Sequence, residues 1–330
     1  MNVAVSRRSL LRGAAATGGL LLAGCAAPAE GGAPTASATT VPVTACGRDL
    51  TFAAPPQRIV SFYPAMTELL LALELDARIA GQVNTDQSPP SPAYAERYAK
   101  VKVLAAQEPS VEVLLSARPD LIVADAAYHF DGKQLPTVED LAAKGIVVYL
   151  NASFCEGRKV LAKVGDADID LANLGRVFGV EAKAKEIGER GRASIADTAA
   201  RLSGRPPVRC ALVTVYDKAL YADAGGLYTD VLTLAGGRNV TEQSEMPAGE
   251  YYAQVSPETI ARKNPDVIVH TYLDDAGRAS AQDYLRRTFA DTTAVRTGRV
   301  IATPEATFGG ALRSVDGVAA LARQLHPDAF

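Results

Sequence analysis

Twelve tyrosines, three histidines and no tryptophan set the chemistry open to this 330-residue chain. Tyr63, Tyr128, Tyr216 and Tyr272 each stand at or just past the end of an apolar run that reads as a strand. Tyr221, Tyr228, Tyr251 and Tyr252 fall in loop-like sequence of the second half. A tyrosine offers a flat apolar face and a polar tip, which suits a large ligand of mixed polarity. Strand ends are where open α/β sheets bind ligands. Singly each tyrosine reads as readily as a structural residue; as a group they point to a cleft. Phe308 and Arg313 flank Gly309-Gly310 and extend the set, because a guanidinium can neutralise an anionic group through paired hydrogen bonds. His129 follows a first-half strand and joins them as a candidate ligand contact. His129 and His270 together are too few for a zinc or manganese site, so no metal ligands are assigned.

No catalytic residue is assigned either. The sequence has no Gly-x-Ser-x-Gly elbow, no phosphate-cradling glycine loop and no His-Glu-x-x-His. It does repeat a twelve-residue phrase. Glu112 to Val123 and Glu258 to Val269 share the glutamate, a Pro-Asp pair seven residues on, and a final Ile-Val. Each copy reads as a short helix that stops before proline, a turn on Pro-Asp, and a buried strand. A carboxylate at a helix start is stabilised by the helix dipole, by roughly 0.3–1 kcal/mol, which alone accounts for both glutamates. The same residue at the same place in two lobes would also present two negative knobs to a pseudo-symmetric partner with two positive sockets.

The first 24 residues read as an export signal. Arg7-Arg8 begins a twin-arginine pattern, a short apolar stretch follows, and Leu22-Ala-Gly-Cys25 resembles a lipobox. Cys25 is therefore the expected lipidation site, and residues 25–45 the lipidated end and a flexible Ala-, Pro-, Thr- and Ser-rich tether. No other segment is long and apolar enough to span a bilayer, so the chain is expected outside the cytoplasm, anchored to the membrane. Loss of Arg7, Arg8 and Arg12 with the signal takes the formal charge from −3 to −6. An acidic chain without a basic stretch argues against nucleic acid. Of the remaining cysteines, Cys210 sits in a strand-like run and reads as a buried thiol. Cys46 and Cys155 sit in loop-like sequence at the edges of the first lobe, in an oxidising compartment, and are expected to pair.

The elements that must position these residues alternate strand and helix, which argues for an α/β fold with parallel sheets covered on both faces. Residues 46–158 read as an N-terminal α/β lobe and residues 206–330 as a C-terminal one. Between them, residues 159–205 lack any strand-like run. Glu181 to Leu202 reads as one helix about 33 Å long at 1.5 Å per residue, enough to bridge two lobes. The expected architecture is two Rossmann-like lobes joined by a single long rigid helix, with the ligand cleft between them.

Arg58-Ile-Val-Ser61, Pro64-Ala-Met-Thr67-Glu68, the two phrases ending at Val123 and Val269, and Ala235-Gly-Gly-Arg-Asn239 together resemble the periplasmic substrate-binding proteins of ABC importers for ferric siderophores, haem and cobalamin. The resemblance covers about residues 46–326. It implies two lobes on a rigid helix, little lobe movement and a shallow cleft. It also implies a monomer that delivers its ligand to a permease dimer with its ATPase. One glutamate per lobe docks onto permease arginines in that family; by position these are Glu112 and Glu258. The ligand implied is a ferric chelate, with no cofactor and no catalytic step. Cobalamin binders of the family tend to carry tryptophan in the cleft, which this chain lacks, and actinobacterial members support the pairing of Cys46 with Cys155. Alternatives are a receptor for cobalamin, haem or another cofactor precursor, a lipoprotein enzyme acting on a bound cofactor or chelate, and a signalling lipoprotein that kept the fold.

Overall fold

Continuous apolar runs build the central strands of both sheets, and the computed structural model of the chain, which describes residues 40–330, shows where each face goes. The residues that read as export signal, Cys25 and the expected tether up to residue 39 lie outside the described residues. The chain opens with a hairpin of β1 (Val41–Ala45) and β2 (Arg48–Phe52). β1 thus begins inside the stretch that reads as tether. Its turn residues Cys46 and Gly47 take φ of 50° and 72°, the left-handed pair of a two-residue hairpin loop.

In the N-terminal lobe, β3 (Ile59–Phe62), α1 (Pro64–Ala72), β4 (Ile79–Val83), α2 (Ala95–Tyr98), β5 (Val103–Ala105), α3 (Val111–Ser116), β6 (Leu121–Ala124), α4 (Val138–Ala142) and β7 (Val147–Leu150) follow in order. Their strands form an all-parallel sheet, β5-β4-β3-β6-β7. Leu121 and Val123 enter the core on one face, Ile122 and Ala124 the core on the other. Cys46 and Cys155 form a disulfide that closes a 109-residue span and ties the hairpin turn to the segment after β7. Cys210 is a buried free thiol.

The connector comprises α5 (Ala167–Phe178) and α6 (Glu181–Arg201). Ala184 and Ile187 near the start of α6 pack in an N-terminal core, whereas Ile195 and Leu202 near its end pack against a C-terminal core. One helix is therefore embedded in both lobes.

The C-terminal lobe contains β8 (Val208–Tyr216), β9 (Ala219–Asp223), α7 (Gly226–Leu234), β10 (Gly237–Asn239), β11 (Tyr252–Gln254), α8 (Pro257–Lys263), β12 (Val267–Tyr272), α9 (Asp275–Thr288), α10 (Thr293–Arg296), β13 (Val300–Pro304) and α11 (Ala311–Leu325). Val267 and Val269 face one core and Ile268 the other, the alternation seen in the first copy of the phrase. This sheet is not all parallel. β10, β12 and β13 run parallel to its neighbours, but β9 turns back on β8 and β11 pairs antiparallel with β9. The short β9 and β11 carry polar and aromatic residues on one face, so they lack the apolar run that marks a buried strand. The polar helix α9 also goes unmarked in the sequence, since only Ala281 and Leu285 of its residues are buried.

The lobes meet through α1, buried along its whole length, and α11. Gly310 starts α11 with φ 76°, and a Cβ there would come within 2.5 Å of Asn151 Nδ2 across the interface. At the centre of the contact, Arg313 donates Nε to Glu68 Oε2 at 2.8 Å and Nη2 to Oε1 at 2.7 Å. It also donates to Ser88 Oγ at 2.6 Å and the Pro89 carbonyl at 3.1 Å. The expectation that Arg313 meets an anionic ligand is therefore corrected: its fork is filled by a carboxylate of the other lobe. Breaking a buried pair leaves an uncompensated charge, so Glu68→Ala or Arg313→Ala is expected to lower the unfolding free energy by about 3–5 kcal/mol. Glu68→Leu combined with Arg313→Leu should lose far less than the sum of the single losses. Urea unfolding reads both, and strictly additive losses would refute the coupling.

Candidate functional site

Both sheets aim strand ends at one cleft. β3 ends at Phe62 and delivers Tyr63; β6 ends at Ala124 and delivers Asp125. From the other lobe, β12 delivers Leu273 and β13 delivers Glu305. These residues line a cavity of about 500 Å³ together with Tyr128, Phe154, Lys159, Tyr228, Glu250, Tyr251, Tyr252 and Phe308. Two further bays open from the C-terminal lobe. One, of about 400 Å³, adds Tyr216, Tyr221 and Asp223; the other, of about 640 Å³, adds Tyr272 and Asp217. Leu273 and Glu305 line all three, so the cleft is continuous.

The C-terminal wall is a run of aromatic rings. Phe308 stacks on Tyr228 with centroids 4.5 Å apart and planes 7° apart, and Tyr228 stacks on Tyr251 at 5.4 Å. Tyr251 meets Tyr252 at 5.2 Å, and Tyr252 meets Tyr221 at 6.2 Å. Side-chain alternation along β9 explains part of this wall: Leu220 and Ala222 enter the core, which leaves Tyr221 and Asp223 for the cleft. Asp223 lies directly opposite Tyr252 in the β9–β11 pair. On the other wall Tyr63 takes φ 74° at the start of α1. A bulky residue held in this sparsely populated region stores strain where the strand gives way to the cleft.

Burial disfavours charge on the phenols and acids of the cleft. Burial, then Glu305 and Asp125, raise the Tyr63 phenol above its ordinary range. Burial, then Asp223, do the same to Tyr251, and burial to Tyr228. Among the described residues these three hydroxyls have no hydrogen-bond partner, so they remain available as donors. Burial pushes the Asp223 carboxyl up to about 8, against the pull of the Thr214 hydroxyl, which donates to it at 3.2 Å. Burial also raises Glu305.

Of the ten residues expected at the ligand, Tyr63, Tyr128, Tyr251, Tyr252 and Phe308 line the main cavity, and Tyr216, Tyr221 and Tyr272 its bays. Two do not. Arg313 is spent on Glu68. His129, 5% exposed, lies behind the wall and donates Nε2–H to Asp125 at 2.8 Å and Nδ1–H to Glu108 at 2.8 Å. It braces Asp125 instead of reaching the cleft. His270 is fully buried in β12 with Nε2 unpartnered, and no three His, Cys, Asp or Glu side chains gather as a metal site among the described residues. Sequence reasoning missed Asp125, Glu305 and Asp223, although the strand-end rule that picked out the tyrosines points equally to Asp125 and Glu305. Tyr228, read as a loop residue, sits on α7 at the centre of the wall. Glu112 and Glu258 are exposed in the first turns of α3 and α8.

Burial opposes the His129 charge, but the hydrogen bonds to Asp125 and Glu108 outweigh it and raise its pKa from 6.5 to about 9. A raised folded-state pKa stabilises fully below the unfolded value and the gain is lost as pH rises through the folded one. Stability should therefore fall by roughly 3 kcal/mol between pH about 6.5 and about 9 from this residue. His129→Asn should flatten that fall; urea midpoints measured across the range decide it, and an unchanged slope would refute the assignment.

The sequence profile of the family described as Periplasmic binding protein matches residues 59–307. The chain is 25% identical over 322 residues to the uncharacterized ABC transporter substrate-binding lipoprotein YvrC of Bacillus subtilis (strain 168), covering 94% of this chain and 95% of that one. It is 26% identical over 219 residues to the vitamin B12-binding protein of Vibrio cholerae, covering 65% of this chain and 70% of the relative. The crystal structure of a periplasmic binding protein from Veillonella parvula matches with a TM-score of 0.77 at 26% identity, over 87% of this chain and 98% of that one. A family match over most of the chain, on a two-lobed fold with its cleft at the strand ends of both sheets, places this protein in the periplasmic binding protein family.

Proposed function

We propose that the protein is the lipid-anchored solute-binding component of an ABC importer, and that it captures a large ferric chelate in the cleft for delivery to a permease dimer with its ATPase. The observation that carries this is the tyrosine-lined cleft, preformed between two lobes that share one embedded helix. A wall of stacked rings with free hydroxyls suits a ligand with apolar flanks and polar edges. YvrC is named a substrate-binding lipoprotein of an ABC transporter, which supports both the transport role and lipidation at Cys25. The role needs no catalytic step. A second reading, a cobalamin receptor, is favoured by the similarity to the Vibrio cholerae vitamin B12-binding protein. Glu112 and Glu258 head helices that run into the inner strands β6 and β12 of their sheets. That equivalence supports a docking role for the pair.

Native mass spectrometry of the full chain in detergent, with ferric hydroxamates, ferric catecholates, ferric citrate, haem and cobalamin pooled, should retain one ferric chelate. Retention of cobalamin alone would favour the second reading, and no adduct would refute both. Glu112→Ala with Glu258→Ala should abolish stimulation of the transporter ATPase and leave ligand affinity within about twofold, as expected for charges outside the cleft. Undiminished stimulation would remove the docking role.

A further inference from the structure

Carboxylates dominate the charged groups of the cleft. Asp125, Glu250 and Glu305 line the main cavity, and Asp223 the adjoining bay. Lys159 is the single cation of the main cavity, and its ammonium already lies 3.1 Å from Glu156. Lys218 lines the larger bay together with Asp217 and Asp274, and no arginine lines the cavity or either bay; the one expected there, Arg313, is bound to Glu68.

Not every carboxylate is open to a ligand. Asp125 is matched by His129 at 2.8 Å. Asp223, however, is only 4% exposed and accepts a single hydrogen bond, at one oxygen, from Thr214. Its other oxygen has no donor among the described residues. Glu305 has neither an ion-pair partner nor a hydrogen-bond donor there. Tyr228, 8% exposed, presents an unpartnered hydroxyl to the same space. Asp223 and Tyr228 are buried, and buried polar groups left unpaired are costly unless something satisfies them, whereas Glu305 is half-buried and open to the cleft. What would satisfy two acceptors beside a wall of ring faces is a group with N–H donors and positive charge, since ring faces also attract cations.

We propose that the cleft selects a chelate bearing a positive charge, seated by Glu305 and Asp223 against the tyrosine wall, and disfavours anionic ligands. A tris-hydroxamate neutralises ferric iron, so a pendant ammonium leaves the complex cationic. A tris-catecholate leaves it strongly anionic and would set negative charge beside Glu305 and Asp223, whose ionisation a bound cation favours and a bound anion opposes. This inference rests on the reading of the cleft as a chelate site.

The test uses the full chain in detergent and quenching of its tyrosine fluorescence. Three probes are compared: a linear ferric tris-hydroxamate ending in a free ammonium, the same complex with the amine acetylated, and a ferric tris-catecholate. The ammonium complex should bind about tenfold tighter than the acetylated one, the ratio expected from one well-placed charge pair, and the tris-catecholate most weakly. Glu305→Gln with Asp223→Asn, shown to be folded by circular dichroism, should bring the ratio of the two hydroxamates close to unity. Equal affinities in the unmodified protein, a ratio that survives the double substitution, or tighter binding of the tris-catecholate would overturn the charge selection and leave the chelate reading standing. Failure of all three to bind would overturn the chelate reading and this inference with it.

Discussion

The Glu68–Arg313 pair fixes how the two lobes share one cleft. The partners lie 245 residues apart and both are buried. Two charges removed from water are tolerated only where geometry and further hydrogen bonds compensate, and here Ser88, Pro89 and the Ser91 amide complete the set. The helices that carry the pair both start at the cleft. α1 begins next to Tyr63, and α11 follows the turn Glu305–Phe308. A Cβ on Gly309 would touch the Tyr63 ring at 3.5 Å. The ion pair therefore sets the register of the two walls as well as the contact between lobes.

The long helix α6 restricts movement from another direction. Its first half is packed in one core and its second half against the other, so a wide hinge motion would have to expose apolar side chains or break the buried pair. Under the proposed function, such a cleft would select by the chemistry already on its walls. In that reading, free phenol hydroxyls, ring faces and the carboxyls of Asp223 and Glu305 would decide which ligand fits.

The lobes are alike where the core is made and differ where the ligand would sit. The strands of the repeated phrase, Leu121–Val123 and Val267–Val269, distribute their side chains between two cores in the same alternation. The C-terminal sheet then departs from the first through antiparallel β9 and β11. That departure brings Tyr221, Asp223 and Tyr252 to one wall, which makes the cleft asymmetric and concentrates its aromatic character on one side.

The sequence by itself determined the alternation of strand and helix, the linker helix and the placing of tyrosines at strand ends. These follow from local signals: β-branched apolar runs and helix stops at proline and glycine. Only the tertiary structure decided what Arg313, His129 and Glu68 do: Arg313 and Glu68 lie 245 residues apart, and His129 joins Asp125, four residues before it, to Glu108, 21 residues before it. It also decided that β9, β11 and α9 form at all. Their apolar runs are too short or too broken to mark them, and they are held by the strand and core they pack against. An arginine near a cleft reads the same in sequence whether its fork meets a ligand or a buried glutamate; the difference lies in which carboxylate the fold brings within 3 Å of it.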